Sequence, residues 1–343
     1  MNDSDGSPTA REDPEVVAVG SAVEDRVYAL TNLPEPDGGA FVREETTAVG
    51  GVAANVAAGL AQLGRETAVV SRVGDDAAAD RILADLRERG IDAERVRRGD
   101  PDEATSYSLI LRDPEGERMI VAGGESVPNL RLTDADCECL RRADLAFTSA
   151  YAPDPVTSAL VDLACAAADS SDSESGHSES SGSESSDSFP PLVFDLAGPL
   201  SELEDRATRP GTIDDLLPVC DLFVAGEVSA RSYLGVGPRE AVETLRARGV
   251  SRAAITKGEA GAFLLDEDGE SHEIPSFDVP VADTTGAGDA FTAGLAHAWL
   301  LGNRSPAAAG RFAAATAALN CTAENARGGL PTADEVEAFL DGR

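Results

Sequence analysis

The sequence predicts an α/β fold, because strand and helix patterns alternate along most of the chain. Residues 15–20 are apolar, are typical of a buried strand, and end at a glycine turn. Residues 67–98 contain a strand, a helix over roughly 77–89 and a second strand. Near the C-terminus an extended segment, 276–282, read as a strand, precedes a glycine turn and a long apolar helix pattern. Further strands are predicted at 192–195, 222–225 and 252–256, and further helices at 286–302, 306–323 and 333–341. This alternation favours a domain built around parallel strands.

The composition is that of a large, strongly acidic protein with enough apolar residues for a real core. The chain has 343 residues, of which 42% are hydrophobic, so one large domain or two small ones could form. Its 28 basic and 62 acidic residues give a formal net charge of −34. Without residues 1–14 and 169–188, 27 basic and 52 acidic residues remain, a net charge of −25. Such a surface repels itself in dilute buffer, whereas at molar salt the Debye length falls to about 3 Å. The composition therefore predicts a protein of a halophile with a saline cytoplasm.

Charge and patterning also exclude several classes of partner. A strongly acidic chain is a poor ligand for nucleic acid or for an anionic membrane. No run of about 18 apolar residues occurs, and residues 1–14 have no apolar core of a signal peptide, so we expect a cytoplasmic protein. The five cysteines show no paired zinc-ligand spacing, which favours reduced thiols.

The most informative stretch is 283–291, which reads D-T-T-G-A-G-D-A-F. The small residues Gly286, Ala287 and Gly288 let the backbone bend tightly and leave its N–H groups uncovered at the start of a helix. A phosphoryl group is the natural guest of such an anion site. Asp289 would then take a proton from an incoming hydroxyl while the amide groups stabilise the transferring phosphoryl group. The alternative is that the two aspartates only cap a helix. Neither a dinucleotide fingerprint nor a Walker P-loop fits, because Phe291 stands at the third glycine and no Gly-Lys-Ser/Thr occurs.

Three further polar residues stand where a ligand could be bound. Asp25 follows the first strand, at the edge where α/β sheets bind ligands, although a solvated loop acid would look the same. Asn55 lies early in a helix, where its amide could contact vicinal hydroxyls or its own backbone. Lys257 is the single lysine in the chain, which favours a local role over chance survival.

Two separated motifs in this sequence resemble the ribokinase family, the pfkB type of carbohydrate kinase. The stretch 283–291 resembles the C-terminal signature of that family, and 50–57, Gly-Gly-Val-Ala-Ala-Asn-Val-Ala, resembles its N-terminal signature. The resemblance implies a ribokinase-like three-layer α/β/α domain with a small β-sheet lid. It also implies ATP-dependent phosphorylation of a hydroxyl on a small sugar, with Asp289 as the base.

The resemblance assigns expected roles to further residues. Sugar contacts are expected at Asp25, Gly50, Gly51 and Asn55. Contacts to the nucleotide are expected at Thr256, Lys257, Gly258 and Gly261. Mg²⁺ would bridge the phosphates of ATP with help from Glu227, and a monovalent cation such as K⁺ would bind carbonyls near Asp283 and Thr285.

The predicted domain organisation is a disordered acidic tail, 1–14, followed by a kinase domain, 15–343. Lid strands are expected at approximately 26–48 and 104–122, the second pair flanking a strong hairpin turn, and a homodimer could form through the lid. Residues 169–188 contain eleven serines and six acids, which predicts a disordered surface insertion, either solvating or phosphorylated.

Three positions depart from the ribokinase pattern. Val52 stands where the family lysine is expected, Tyr151 stands where a glutamate is expected, and Gly226-Glu227-Val228-Ser229 replaces the Asn-x-x-Glu motif. Ribose is therefore a poor default substrate. Two alternatives stay open: a nucleoside kinase with Tyr151 stacking on the base, and a sensor of sugar or nucleotide without catalysis.

Overall fold

The computed structural model describes residues 13–173, 189–203 and 206–343, with side chains omitted at 169–173. The strands are β1 (Val16–Val19), β2 (Val23–Leu30), β3 (Val42–Gly50), β4 (Thr67–Val73), β5 (Val96–Arg98), β6 (Tyr107–Arg112), β7 (Arg118–Gly123), β8 (Leu145–Ser149), β9 (Leu192–Asp195), β10 (Leu222–Gly226), β11 (Ala253–Thr256), β12 (Ala262–Leu265) and β13 (Ser271–Ile274). The helices are α1 (Val52–Gln62), α2 (Ala77–Glu88), α3 (Asp134–Arg142), α4 (Asp154–Ser173), α5 (Leu200–Leu203), α6 (Pro210–Leu216), α7 (Glu227–Leu234), α8 (Pro238–Ala247), α9 (Ala287–Leu295), α10 (Pro306–Asn320) and α11 (Ala333–Asp341).

A nine-stranded sheet forms the centre of the described structure. Its strand order is β13-β12-β11-β10-β9-β8-β1-β4-β5. The seven strands from β11 to β5 pair in parallel, and β12 and β13 add antiparallel strands at one edge. Because the parallel strands all end at one edge of the sheet, the loops that follow β1, β9, β10 and β11 meet there.

Helices cover both faces of this sheet, so the domain has three layers. The strand β1 shows why: Val16 and Ala18 belong to one buried cluster, whereas Val17 and Val19 belong to the other. The first cluster includes side chains of α1, α2, α9, α10 and α11, and the second includes side chains of α3, α4, α6, α7 and α8. Burial on both faces explains why β1 is continuously apolar.

A second sheet of four strands, in the order β3-β2-β6-β7, forms the lid. Its strands β2 and β6 are parallel neighbours, and each of them forms an antiparallel pair with the strand at the outer edge. Its bounds agree with the predicted lid strands at 26–48 and 104–122 to within a few residues.

Two predictions about the chain's organisation differ from the structure. The extended segment 276–282 is not a strand, because β13 ends at Ile274 and the following residues pair with no neighbouring strand. Helix α4 runs to Ser173, so residues 169–173 of the predicted insertion are helical. Residues 1–12 of the predicted tail and 174–188 of the insertion lie outside the described residues. In the part of the chain that is described, no helix combines the length and the apolar character needed to cross a bilayer.

Candidate active site

The predicted anion site lies at the N-terminus of α9, and Gly286 makes its tight turn possible. Gly286 has a φ of 75°, and a Cβ atom there would lie 2.3 Å from the carbonyl oxygen of Ala326. Only glycine combines that left-handed conformation with so close a backbone contact. The amide of Ala287 donates to the carbonyl of Thr284 at 3.2 Å, so it is engaged in the turn.

The other amides of this turn remain available to a ligand. Within the described chain, the N–H groups of Gly286, Gly288 and Asp289 have no protein acceptor, as expected of a helix's first turn. The space over Gly288 is open, since a Cβ atom there would have no neighbour within 4 Å. The amides available to an anion are therefore two of the three predicted ones together with that of Asp289. We call these three amides the nest.

Asp289, the predicted base, is half-buried and directed into the protein. The side-chain amide of Asn55 donates to its Oδ2 atom at 2.7 Å. The pKa of Asp289 is raised to about 7, chiefly by burial and also by the nearby carboxylates of Asp195 and Asp25, while Asn55 and Arg327 oppose the rise. A carboxyl group that titrates near neutrality is suited to accept a proton from an alcohol.

Two residues of this group, Asp195 and Arg327, were not singled out from the sequence. Asp195 ends β9, accepts hydrogen bonds from the Ala197 amide at 2.8 Å and the Thr292 hydroxyl at 3.0 Å, and has its pKa raised to about 6 by burial. Its position at the carboxyl end of a parallel strand was the available signal. Arg327 lies in the loop between α10 and α11, and burial lowers the pKa of its guanidinium to about 10.

A cavity of about 490 Å³ lies next to Asp289, between the central sheet and the lid. Its lining includes the predicted residues Gly51, Asn55 and Thr285 of the central domain and Asp25 of the lid strand β2. Further lining from the lid comes from β6, β7 and the residues around them. Asp289 is adjacent to this cavity through Asn55, which lines it.

The two glycines of the N-terminal motif allow this side of the cavity to form. Gly51 has a φ of 95°, and a Cβ atom there would lie 2.5 Å from the carbonyl oxygen of Ser21. A Cβ atom on Gly50 would lie 2.1 Å from Oδ2 of Asp25, so this carboxylate packs directly against the glycine. Burial raises the pKa of Asp25 to about 6, against the opposing effects of Ser108 and Arg327. The structure thus brings Asp25, Gly50, Gly51 and Asn55 together on one side of the cavity, and their contacts with a sugar stay a prediction.

Tyr151 and Arg206 line a further part of the cavity. The hydroxyl of Tyr151 donates to Glu202 at 2.6 Å, and both residues line the cavity. Arg206 donates to the carbonyl of Gly124, next to β7, at 2.8 Å. Arg206 is the one basic side chain among the cavity-lining residues that the structure describes.

The lid contacts the nest region through two arginines. Arg112 of β6 donates to Oδ2 of Asp283 at 2.5 Å, and Arg112 and Arg118 each donate to the hydroxyl of Thr285 at 3.0 Å. The Asp283 carboxylate also accepts the amides of Thr285 at 2.9 Å and Asn325 at 3.0 Å. With the lid in this position both oxygens of the Asp283 carboxylate are engaged, whereas the predicted cation would bind carbonyls near Asp283 and Thr285. The potassium site stays a prediction.

The predicted nucleotide residues form a turn at the carboxyl end of β11. The Lys257 amide donates to the Gly261 carbonyl at 2.7 Å, and Gly258 and Gly261 both have positive φ angles. The ammonium of Lys257 pairs with Glu273 at 3.1 Å and lies 3.9 Å from the centre of the Phe263 ring. Thr256 pairs with Gly226 of β10. This places the turn at the ligand-binding edge of the sheet, with the Lys257 side chain engaged by the antiparallel strands.

Glu227, the residue suggested for Mg²⁺, begins α7 directly after β10. Its carboxylate accepts a hydrogen bond from Arg231 at 2.6 Å. Among the described residues no three His, Cys, Asp or Glu side chains are close enough together to ligate a metal. The described part of the chain therefore offers no carboxylate cage, and Mg²⁺ in proteins is commonly held by nucleotide phosphates and water.

Comparison with known proteins identifies the family. A family model described as pfkB family carbohydrate kinase matches residues 13–333. The chain belongs to the pfkB family of carbohydrate kinases. This carbohydrate kinase is 31% identical over 330 residues to a Halopiger xanaduensis protein named ATP-dependent ribose-1-phosphate kinase, covering 96% of this chain and 98% of the relative. It is 25% identical over 325 residues to the ribokinase of Bacillus subtilis, covering 95% and 99% of the two chains.

The fold of this carbohydrate kinase is also that of solved structures in the family. The Arabidopsis thaliana ribokinase, solved with ribose and ATP, matches with a TM-score of 0.77 at 24% identity over 96% of this chain and 99% of that one. The Thermotoga maritima ribokinase matches with a TM-score of 0.76 at 22% identity over 96% and 99% of the chains. The predicted family and the predicted ribokinase-like fold with a lid are both confirmed.

Proposed function

We propose that this carbohydrate kinase transfers the terminal phosphoryl group of ATP to a hydroxyl of a small sugar, with Asp289 as the base. The observation that carries the proposal is a carboxyl group with a pKa near 7 that lies beside a cavity and at a helix terminus with open amides. The oxygen of the sugar would form a bond to the γ-phosphorus as the bond to the ADP oxygen breaks. Asp289 would take the hydroxyl proton.

The other proposed roles follow from position. Asp25 is proposed to accept hydrogen bonds from the sugar, because its carboxylate lines the cavity. Asn55 lines the cavity too, although its amide is already bonded to Asp289 and Arg327. The turn 256–261 is proposed as one wall of the nucleotide site, since it stands at the ligand-binding edge of the sheet.

The test is Asp289→Asn, which keeps the shape of the side chain and removes its basicity. Kinase activity is measured as coupled ADP release at molar KCl, and ligand binding by calorimetry. We expect kcat to fall at least about a hundredfold while ATP and sugar still bind. The matched control is Asp162→Asn, on the exposed side of α4, which should retain normal activity. Near-normal kcat in the Asp289 variant would refute the assignment.

A sugar that already carries a phosphate is a second candidate substrate. In a chain with a charge of −34, the basic residue Arg206 lines the substrate cavity together with the acids Asp25 and Glu202. A guanidinium is suited to bind a phosphate through two parallel hydrogen bonds. The relative from Halopiger xanaduensis is named for such a substrate. That name supports the proposal.

A substrate panel discriminates between these possibilities. The panel contains ribose, fructose, 2-dehydro-3-deoxygluconate, ribose 1-phosphate, other sugar phosphates and nucleosides, assayed with wild type and Arg206→Gln. If a sugar phosphate is the substrate, Arg206→Gln should lower its kcat/KM by about tenfold or more and leave neutral sugars unaffected. If nucleosides are the preferred substrates, the protein is a nucleoside kinase in which Tyr151 is expected to stack on the base. If a sugar or nucleotide binds but is not phosphorylated, the protein is a sensor.

We also propose that two copies associate through their lids. Phe41, Ile120 and Val121, on or next to the edge strands β3 and β7, have exposed fractions of 82%, 55% and 53%. Exposed apolar side chains on open strand edges favour a second strand as partner. Light scattering at molar KCl should show a dimer for the wild type and a monomer for Phe41→Asp. A monomeric wild type would refute the proposal.

A further inference from the structure

Arg327 is a buried arginine that connects three parts of the active site. It is 5% exposed and lies in the loop between α10 and α11. Its Nε atom donates to Oδ1 of Asn55 at 2.7 Å, its Nη1 to Asp85 of α2 at 2.5 Å, and its Nη2 to the carbonyl of Gly50 at 3.2 Å. A buried guanidinium with this many partners is held in one orientation.

The contact with Asn55 determines which way that side-chain amide points. Because Oδ1 of Asn55 accepts from Arg327, its Nδ2 faces Asp289 and donates to Oδ2 at 2.7 Å. In the reversed orientation the amide NH₂ would meet the guanidinium, and the amide oxygen would meet the carboxylate. Both contacts would be repulsive, because an amide NH₂ only donates and a carboxylate only accepts.

Arg327 is also the cation that acts on the proposed base. The groups that act on Asp289 within the described residues are Asn55 on α1, Asp195 on β9, Asp25 on β2 and Arg327. Burial and the two carboxylates raise the pKa of Asp289, whereas Asn55 and Arg327 lower it. The phenol of Tyr151 also interacts with Asp289, and Asp85 and Arg89 of α2 act on the Arg327 guanidinium.

We propose that Arg327 is a positioning residue for phosphoryl transfer, acting through Asn55 on Asp289; this inference rests on the function proposed above. Arg327 fixes the Asn55 amide so that Oδ2 of Asp289 is held by one hydrogen bond and Oδ1 remains the acceptor for the substrate hydroxyl. Its charge also favours the ionised form of Asp289. A purely structural arginine, which only joins the C-terminal loop to α1 and α2, would do neither.

The test uses Arg327→Met and Arg327→Lys in the full chain at molar KCl, with kcat and kcat/KM measured from pH 5.5 to 9. Arg327→Met should lower kcat at pH 7 at least about tenfold and move the acidic limb of the profile up by about one pH unit, so that part of the loss is recovered at pH 9. Arg327→Lys keeps the positive charge but lacks the planar guanidinium group, which donates to Asn55 and Asp85 at the same time. It should leave the limb near its wild-type position and still lower kcat severalfold.

The matched control is Arg65→Met. Arg65 is a partly buried arginine bonded to Glu15 and His297, outside the proposed site. This control should change thermal stability without moving the pH profile. An Arg327→Met profile that falls by the same factor at every pH would overturn the proposal, as would an Arg327→Lys variant with wild-type kcat. If Arg327→Met does not fold, the lysine variant decides the positioning role.

The failure of this inference is distinguishable from the failure of the proposed function. If Asp289→Asn retains activity, the proposed function is wrong and Arg327 has no base to position. If Asp289→Asn is inactive while Arg327→Met shows an unshifted limb, the base assignment stands and only the role of Arg327 is wrong.

Discussion

The pH dependence of the kinase reaction follows from the environment of Asp289. As the proposed base, this carboxyl group must be ionised to accept the hydroxyl proton, and burial raises its pKa to about 7. With a single proton at that pKa, about a tenth of the base is ionised at pH 6 and about nine-tenths at pH 8. We therefore expect kcat/KM to rise roughly tenfold from pH 6 to pH 8. Below pH 6 the fall should become steeper, because Asp25, with a pKa of about 6, also takes a proton.

The assay is initial-rate ADP release at a constant molar KCl concentration, with saturating ATP and sugar well below its KM. Circular dichroism at each pH shows that the protein remains folded over the range. The residual rate of Asp289→Asn should lack the limb near pH 7, which assigns it to this residue. A profile that is flat from pH 5.5 to 8.5, or a limb near pH 4, would show that Asp289 is an ordinary carboxylate and refute the reasoning.

Three further predictions follow from the structure. Asp195 has a pKa of about 6 in the folded protein, above the usual value, so its ionisation destabilises the fold as pH rises from about 4 to 6. Asp195→Asn should therefore raise the free energy of unfolding by roughly 1–3 kcal/mol at pH 8, seen as a higher melting temperature, and should not raise it at pH 4. Gly286→Ala should lower kcat about a hundredfold by displacing the nest, because the added methyl meets the Ala326 carbonyl, whereas Gly211→Ala should be harmless. Dialysis from molar KCl into dilute buffer should abolish activity and native circular dichroism, and full retained activity would contradict this.

Local signals made much of the fold predictable from the sequence. Helix α11 was predicted at its observed bounds and α2 to within one residue, because each has an amphipathic pattern and a capping side chain at its start. The lid hairpin was predictable from a turn between alternating segments. By contrast 276–282 has the extended composition of a strand but no neighbouring strand to pair with, and pairing is a tertiary property.

Residues of the candidate site could be predicted from the sequence only where they belong to a recognisable motif. The glycines at 51 and 286 are required by positive φ angles and close backbone contacts, so their positions carry information in the sequence itself. Arg327 gave no such signal, since it is one of 27 arginines and reaches Asn55 across 272 positions of the chain. Lys257 stands out in the sequence as the single lysine; its ammonium contacts Glu273 and Phe263, and its contact with the nucleotide stays a prediction.

The acidic surface and the acidic active site respond differently to salt. At molar salt the Debye length is about 3 Å, so exposed carboxylates hardly influence a group inside the protein. Asp195 and Asp25 are buried and Asp289 is half-buried, so such screening is weaker there, and Arg327 is the cation that acts on Asp25 and Asp289. Molar salt therefore screens the repulsion between surface carboxylates but hardly changes the pKa of the proposed base, Asp289, which is set by the groups next to it. It follows that a charge change at Arg327 should move the pH profile, whereas the same change at an exposed arginine should not.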